Sequence, residues 1–577
     1  MYTYKGGKGM FKKMYVVVII MLFIGGIFVP STISIELSEN SENNGSLSGH
    51  ITDIEMKPID SAKVTISCGD ITYECFSNDT GYYCQENIPI VDCFWNITVF
   101  KFGFNISYVD ITIEENTIYD FILTPRIGIF IDDDSQYPGE GTIDNPFHFI
   151  WQGIENSSNG DTIFVLNGTY YENLLINKSI KLIGENRNIT NINGNITNNA
   201  VKIESDNVTI KDFNFKSDNI FCKTGIYINQ HKYITINDNI FSGHFDIDLN
   251  VRFCYNIKIN NNIFENGKQA NIQLYATDKV LVENNCFKSS TNEWSHGIKL
   301  IVCNNDNIVN NTFTDAYRKY IYLESSENNI IFNNTFQLLN FEEEDWIDCF
   351  INLTGSNNNW ITNNSIHLSR CNNNLPKVHF SIRMKNSNDN GIYNNSIISD
   401  SKIYSSAIEK FEGYGIYFSS SNGNFLKNNY IYQFKVGVAF TQAKGNRLKF
   451  NNISSCTQYG LWMSRTTYNL IINNTFWKNK QTAWFYLALH DWLWLNDFHP
   501  SDKIIIIKSD WFQGSIIWGQ FNYWGNEDLG HWAFKINYIP YILFSPALRQ
   551  PHQNSSLADF GWYLLTHWTK WKEEVYF

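Results

Sequence analysis

INDNIF (236–241), INNNIF (259–264), VENNCF (282–287), IVNNTF (308–313) and IFNNTF (331–336) are variants of one hexapeptide. It continues as ITNNSI (361–366), IYNNSI (392–397), LKNNYI (426–431), LKFNNI (448–453) and IINNTF (471–476). Aligned, the segments share one asparagine: Asn239, Asn262, Asn285, Asn311, Asn334, Asn364, Asn395, Asn429, Asn451 and Asn474. These asparagines recur every 22 to 34 residues. A period in the twenties, built of short strands with insertions at one place, is the mark of a solenoid. The leucine frame of a leucine-rich repeat is absent.

Each repeat carries a second strand upstream: TGIYIN, FDIDLN, ANIQLY, HGIKLI, KYIYLE, FINLTG, FSIRMK, YGIYFS, VGVAFT, YGLWMS. One coil therefore reads strand, turn, strand, corner asparagine, strand. Side chains alternate along a strand, so the apolar residues three before and two after the asparagine point inward, and the asparagine with them. A lone amide inside a solenoid is costly. Stacked on the asparagine of the next coil, it bonds its neighbour and the turn backbone. The preceding asparagine points outward, which makes Asn310, Asn333, Asn363, Asn394 and Asn473 the accessible members of N-x-S/T sequons.

The pattern resembles the right-handed parallel β-helix repeat of the pectin-lyase-like superfamily, in its NosD-like version. The stretch 130–195 is similar to that family's opening segment, with Gly160, Asp161, Gly168, Tyr170, Glu172 and Gly184 matching position by position. The resemblance implies a short capping helix at about Phe147 to Asn156 and a β-helix over 128–525, about a dozen coils, closed by FNYWGN (521–526). An aromatic tail, 526–577, follows. Capping of the sheet edge is its first reading and sugar stacking the second.

Ahead of the solenoid, short runs with period-two alternation span 46–125, which predicts an antiparallel sandwich. GHITDIEMKPIDSAKVTI followed by SNDTGYY resembles the carboxypeptidase regulatory-like (prealbumin-type) module through Gly49, Pro58, Ala62, Val64, Asp79, Gly81 and Tyr82. That resemblance implies a spacer. Cys68, Cys75, Cys84 and Cys93 crowd into this module and read as two disulfides, with Cys68–Cys75 and Cys84–Cys93 the local pairing. No histidine and no C-x-x-C spacing support zinc.

At the chain start, Lys5, Lys8, Lys12 and Lys13 precede the apolar run Met14 to Val29. This is an export signal over 1–35, or an uncleaved anchor with the lysines inside, and then a linker over 36–45. The chain beyond it is expected outside the cell, secreted or held at the outer face of the membrane. Net charge is −13 over 577 residues, without the concentrated positive charge that nucleic acid requires.

Chemistry is sought on the outward side of the upstream strands, because such a fold by itself does not define a function. The expected outer row is Tyr227, Asp248, Gln273, Lys299, Tyr322, Asn352, Arg383, Tyr417, Ala439 and Trp462. The row behind it is Gly225, Asp246, Asn271, Gly297, Tyr320, Phe350, Ser381, Gly415, Gly437 and Gly460. Amides and charges in the first row suit sugar hydroxyls, and aromatic faces suit pyranose rings. Asp246 and Asp248, about 7 Å apart on one strand, are the candidate acid pair for hydrolysis. Lys299 is the nearest candidate base for β-elimination. A solvated face is the default against both.

Copper delivery, implied by the NosD-like name, needs clusters of His, Cys or Met. His231, His244, His296, His379 and His531 fall in different repeats. Cys222, Cys254, Cys286, Cys303, Cys349, Cys371 and Cys456 read as core fillers. No cofactor is expected. Asp132, Asp133 and Asp134 offer carboxylates to Ca²⁺, with an N-capping turn as the preferred alternative. The expectation is an exported surface protein that contacts glycans without chemistry. The alternative is a polysaccharide lyase or glycoside hydrolase.

Overall fold

A computed structural model describes residues 44–194, 199–218, 222–265, 267–288, 295–314, 319–337, 346–368, 377–399, 413–494, 496–498, 503–508, 516–520, 534–537 and 543–544. The N-terminal apolar run, Cys371, His531, FNYWGN and the aromatic tail lie outside the described residues, except Phe534–Asn537 and Leu543–Phe544 of the tail, which pair with solenoid strands.

The chain divides into two compact units, 1–99 with 106–122, and 100–105 with 123–577. The first holds a β-sandwich of two four-stranded sheets. Asn44–Asp53 pairs antiparallel with Tyr82–Pro89 in one sheet. Lys63–Cys68 forms a hairpin with Ile71–Phe76, and Trp95–Phe100 pairs with Ser107–Ile111 in the other. Inward alternation buries Val64, Ile66, Ile97 and Val99 around Trp95.

Among the described residues one disulfide, Cys68–Cys93, is formed, and the local pairing is corrected. In the hairpin register Cys68 faces Ile71, while Cys75 faces Val64. Four residues of strand therefore separate Cys68 from Cys75, about 13 Å, beyond disulfide reach. Cys75 and Cys84 carry free thiols.

The second unit is a right-handed parallel β-helix. Three parallel sheets run along it, and each coil gives one strand to each. Sheet A contains Thr162–Val165, Lys181–Gly184 and their successors. Sheet B has 14 strands from Gly168–Tyr170 onward, and sheet C has 15 from Leu174–Ile176 onward, more coils than the dozen expected. A representative coil is His296–Ile301 in sheet C, Asn307–Val309 in sheet A and Thr312–Thr314 in sheet B.

Register follows the apolar positions: Ile298 on Ile321, Ile308 on Ile331, Phe313 on Phe336. Sheet B contributes a column of rings. Phe241, Phe264, Phe287, Phe313 and Phe336 stack at 4.5–5.0 Å between centroids and 8–11° between planes. Each buried ring contributes about 1.5–3 kcal/mol, so the column is a main source of solenoid stability.

At the corner between sheets A and B, the asparagines from Asn239 to Asn474 are all buried. The side-chain amide of each donates to the next coil's Oδ1, as in Asn311 Nδ2 to Asn334 Oδ1 at 3.0 Å. The backbone N–H of Asn311 donates to the same oxygen at 2.9 Å. The column extends to Asn496. The residue before each asparagine turns the corner in the left-handed region, as Asn310, Asn333, Asn363, Asn394 and Asn473 do at φ 53–55°. Asparagine is among the few non-glycine residues that enter this region cheaply.

A second column stands at the corner between sheets C and A, five residues earlier in each coil: Asp306, Asn329, Asn359, Asn390, Asn424, Asn446, Asn469 and Asp491. A third, of hydroxyls, runs beside it through Ser326, Ser356, Ser387 and Ser421.

The capping helix is Ile150–Asn156, shorter at its start than expected. It begins where the Glu172 carboxylate accepts Ile150 N–H at 2.8 Å and Trp151 N–H at 3.0 Å, negative charge at the positive end of the helix.

Candidate functional site

The outward row of sheet C is fixed by backbone pairing. It runs Tyr227, Asn250, Gln273, Lys299, Tyr322, Asn352, Arg383, Tyr417, Ala439, Trp462 and Trp484. Asp248 is not in it; Asn250 takes the position beside Tyr227. The segment DIDLNV alternates with period two, so a slip of two residues leaves the apolar face unchanged and the sequence carries no mark against it.

Asp248 belongs to the row behind, and that row is interior. Gly225, Asp248, Asn271, Gly297, Tyr320, Phe350 and Ser381 turn into the core at the start of each strand. Tyr320 and Phe350 stack there at 4.6 Å. Asp248 Oδ2 accepts from Asn271 Nδ2 at 2.6 Å in a fully buried setting, and burial pushes its carboxyl well above the ordinary range. Asp246 is half-buried and precedes the strand. The expected acid pair therefore does not share a face, and the hydrolytic reading built on it is withdrawn.

What the outer face does bring together is a run of cations and rings. Asp348 lies 3.6 Å from Lys319 Nζ and 3.8 Å from Arg383 Nη1, an ion trio spanning three successive coils. Lys319 Nζ sits 4.5 Å above the Tyr322 ring, and the Arg383 guanidinium 4.9 Å above Phe380. Phe380 stacks on Tyr414 at 5.4 Å and leans on Tyr417 at 5.0 Å. Tyr414 approaches Trp462 at 6.4 Å, and Trp462 stacks on Trp484 at 5.4 Å and 24°. At the other end His296 approaches Tyr322 at 5.6 Å.

From His296 to Trp484 the run crosses seven intercoil steps of about 4.8 Å, roughly 34 Å. The Tyr322 hydroxyl donates to Glu324 at 3.2 Å; burial first, then the charge of Glu324, raises its pKa and holds it in the phenol form. Burial pushes Tyr414 up to about 12. Neither phenol is a base near neutral pH.

Tyr227, Gln273 and Lys299 lie half-buried at the N-terminal side of the run, and Lys299 pairs across the backbone with Tyr322. Lys319, Asp348, Phe380, Tyr414 and Trp484 are additions that the sequence rows missed. A usable signal for Asp348 was strand length: Trp346–Thr354 is nine residues, against six for most sheet C strands, and the three added residues carry it, whereas Lys319, Phe380 and Tyr414 open the common six-residue stretch.

Asp132, Asp133 and Asp134 can bring carboxylate oxygens within 4.8 Å of one another, the one such metal-ligand group among the described residues. Two of the three are already occupied by backbone. Asp133 Oδ2 accepts Thr169 N–H at 2.9 Å and Asp132 Oδ1 accepts Asp134 N–H at 3.1 Å. The turn reading accounts for them. Cys222, Cys254, Cys303, Cys349 and Cys456 are buried, and burial raises each thiol.

A family model described as "Right handed beta helix region" matches residues 195–338 and 398–492. No curated protein matches the chain. Among solved structures, an alginate lyase, AlyF-OU02 with G6, aligns at TM-score 0.41 and 14% identity over 57% of this chain and 82% of its own. DFA-IIIase from Arthrobacter chlorophenolicus A6 with DFA-III aligns at 0.42 and 12% over 56% and 94%. The periplasmic alginate epimerase AlgG aligns at 0.34 and 10% over 67% and 76%. The right-handed β-helix coil is what this chain has in common with the matched region model.

Proposed function

We propose that the protein is an exported glycan-contact protein that binds a carbohydrate polymer along the outer face of sheet C, without cleaving it. The carrying observation is the run of about seven coil steps, roughly 34 Å, from His296 through Lys319, Arg383 and Tyr417 to Trp484. Cations and ordered rings lie along one polymer-sized track. Tyr227, Gln273, Lys299 and Tyr322 extend the track toward its N-terminal end. The sandwich serves as a spacer, and the basic and apolar N-terminal segment directs export or anchors the chain.

A polysaccharide lyase is the second reading, and the Lys319–Asp348–Arg383 trio favours it. Cations held beside one acid are what β-elimination from an acidic sugar needs. Against it stands the engagement of Asp348 by both cations and the protonated state of Tyr322.

The test is a glycan array and a polysaccharide panel with the purified full chain, reading binding together with reducing ends and unsaturated products. Binding without product, weakened about tenfold in Arg383→Ala or Trp462→Ala, is the expected result. Product formation that disappears in Asp348→Asn would show an enzyme instead.

A further inference from the structure

We propose that the outer face of sheet A carries a second carbohydrate platform, which takes the flat pyranose faces of a neutral polysaccharide. It does not rest on the sheet C reading. In two successive coils the outward side chains of sheet A are apolar and open to solvent: Ile330 is 39%, Phe332 36% and Trp360 48% exposed. Pairing stacks Ile330 on Trp360, Trp360 on Gly391, and Gly391 on Phe425; beside them Phe332, Thr362 and Tyr393 form a parallel file.

Trp360 and Tyr393 lie 5.4 Å apart with planes 26° from parallel, and Phe425 closes on Tyr393 edge-on at 5.6 Å. Gly391 is the floor that lets the two rings lie down. A Cβ there would run into the Tyr393 ring and stand 2.9 Å from Trp360 Cε3. Glycine inside a strand costs stability and marks a close approach; here the approach is made by two rings that the solvent can reach.

Both edges of the strip carry exposed amides at the coil repeat. Asn328 and Asn358 border one side and Asn333 and Asn363 the other, all held outward in left-handed turns at φ 54–58°. An amide offers both donors and an acceptor, which suits hydroxyl groups that need both. A pyranose presents C–H bonds on its face and hydroxyls on its rim. The strip supplies the complement: rings in the centre and amides at the edges.

Charge selects among sugars. Ile330, Phe332, Trp360, Thr362, Tyr393 and Phe425 carry none. The nearest ionic groups come one of each sign: Asp389, which holds in the Gly391 coil the edge position of Asn328 and Asn358, and Lys427, which shares a strand with Phe425 and pairs with Tyr393. Lys427 is offset by Asp389, so the strip offers an acidic polymer no net positive charge. A flat stacked pair also lacks the deep anchor pocket on which protein–protein hot spots depend.

The experiment uses the full chain, with microcrystalline cellulose and chitin as neutral probes and polygalacturonate as the acidic one. Sedimentation with each polymer, thermal melts and sedimentation velocity are measured for wild type, Trp360→Ala/Tyr393→Ala and Arg383→Ala/Trp462→Ala. The expected result is wild-type binding to cellulose or chitin, about tenfold weaker in the sheet A variant, which still melts in one cooperative transition. The sheet C variant keeps that binding whatever becomes of its own ligand. Absence of wild-type binding to both neutral polymers, or full binding by the sheet A variant, overturns the proposal. So does loss of a dimer in that variant, which would mean that a second copy covers the strip.

Discussion

Replacing Asn334 by alanine removes one side chain from the middle of a buried column and tests what the column is worth. Asn334 Oδ1 accepts from Asn311 N–H at 2.9 Å and from Asn311 Nδ2 at 3.0 Å. Its own Nδ2 donates to Ile308 O at 2.9 Å and to Asn364 Oδ1 at 3.1 Å. Four bonds go, and the buried Asn311 N–H is left with nothing to replace its acceptor. At about 1 kcal/mol net for each of three bonds, with about 1–3 kcal/mol for the orphaned Asn311 donor in place of the fourth, the loss is about 4–6 kcal/mol. The control is Asn333→Ala one residue earlier. It gives up a single exposed contact, Asn333 Nδ2 to Asn310 Oδ1, and the ease of the left-handed turn, together about 1–2 kcal/mol. Urea unfolding of both variants, followed by circular dichroism, reads the difference. Equal midpoints for the two would refute the reasoning, because the buried column would then add nothing beyond the turn.

Three further outcomes are expected. Asp306 and Asp491 occupy the second column, where burial pushes their carboxyls up to about 7 and about 6. Both folded values exceed the unfolded one, so the folded state holds the extra protons and stability declines as pH rises from about 4 to about 7; Asp306→Asn should flatten that decline in melts recorded across this range, and an unchanged slope would count against it. Asp248→Asn should leave glycan binding intact, since the side chain is interior; loss of binding in a variant that melts normally would contradict the pairing of Tyr227 with Asn250 that turns Asp248 inward. Cys68→Ala should lower the stability of the sandwich by about 3 kcal/mol, while mass spectrometry of the unreduced wild type finds Cys75 slow to alkylate at neutral pH, because burial and the nearby Cys84 push its thiol up to about 11.

The coil was legible in the sequence because its hexapeptide combines two constraints that seldom coincide: inward apolar residues at fixed distances, and an amide between them that only stacking can satisfy. The second column was not legible, although from Asp306 to Asp491 it sits five residues before the first; in the three preceding coils that place holds Ile234, Ile257 and Val280. Its positions mix aspartate with asparagine, and its neighbours vary because that corner also holds the hydroxyl column. The outer face was legible in kind and not in register. Tyr227, Gln273, Lys299 and Tyr322 stack as the alternation implies, but around Asp248 a two-residue slip costs nothing in the pattern. Lys319, Asp348 and Phe380 were missed because they precede the core-setting pair of each strand. Their outward placement depends on how far each strand extends, which alternation does not encode. The disulfide depended on hairpin register, and proximity in sequence pointed to the wrong partner.

The direction of the asparagine column has a consequence of its own. Each side-chain oxygen in it accepts from the N-terminal side, from Phe213 N–H onto Asn239 to Asn474 onto Asn496, while each amide gives one N–H to the next asparagine and the other back to a carbonyl of the preceding coil. A coil is thus a plug on one face and a socket on the other, identical in kind to those beside it. Duplicating or deleting an internal coil leaves every remaining plug with a socket, so the length of this solenoid is free to drift, while its two ends are not interchangeable. Reversing a coil is the one rearrangement the column forbids.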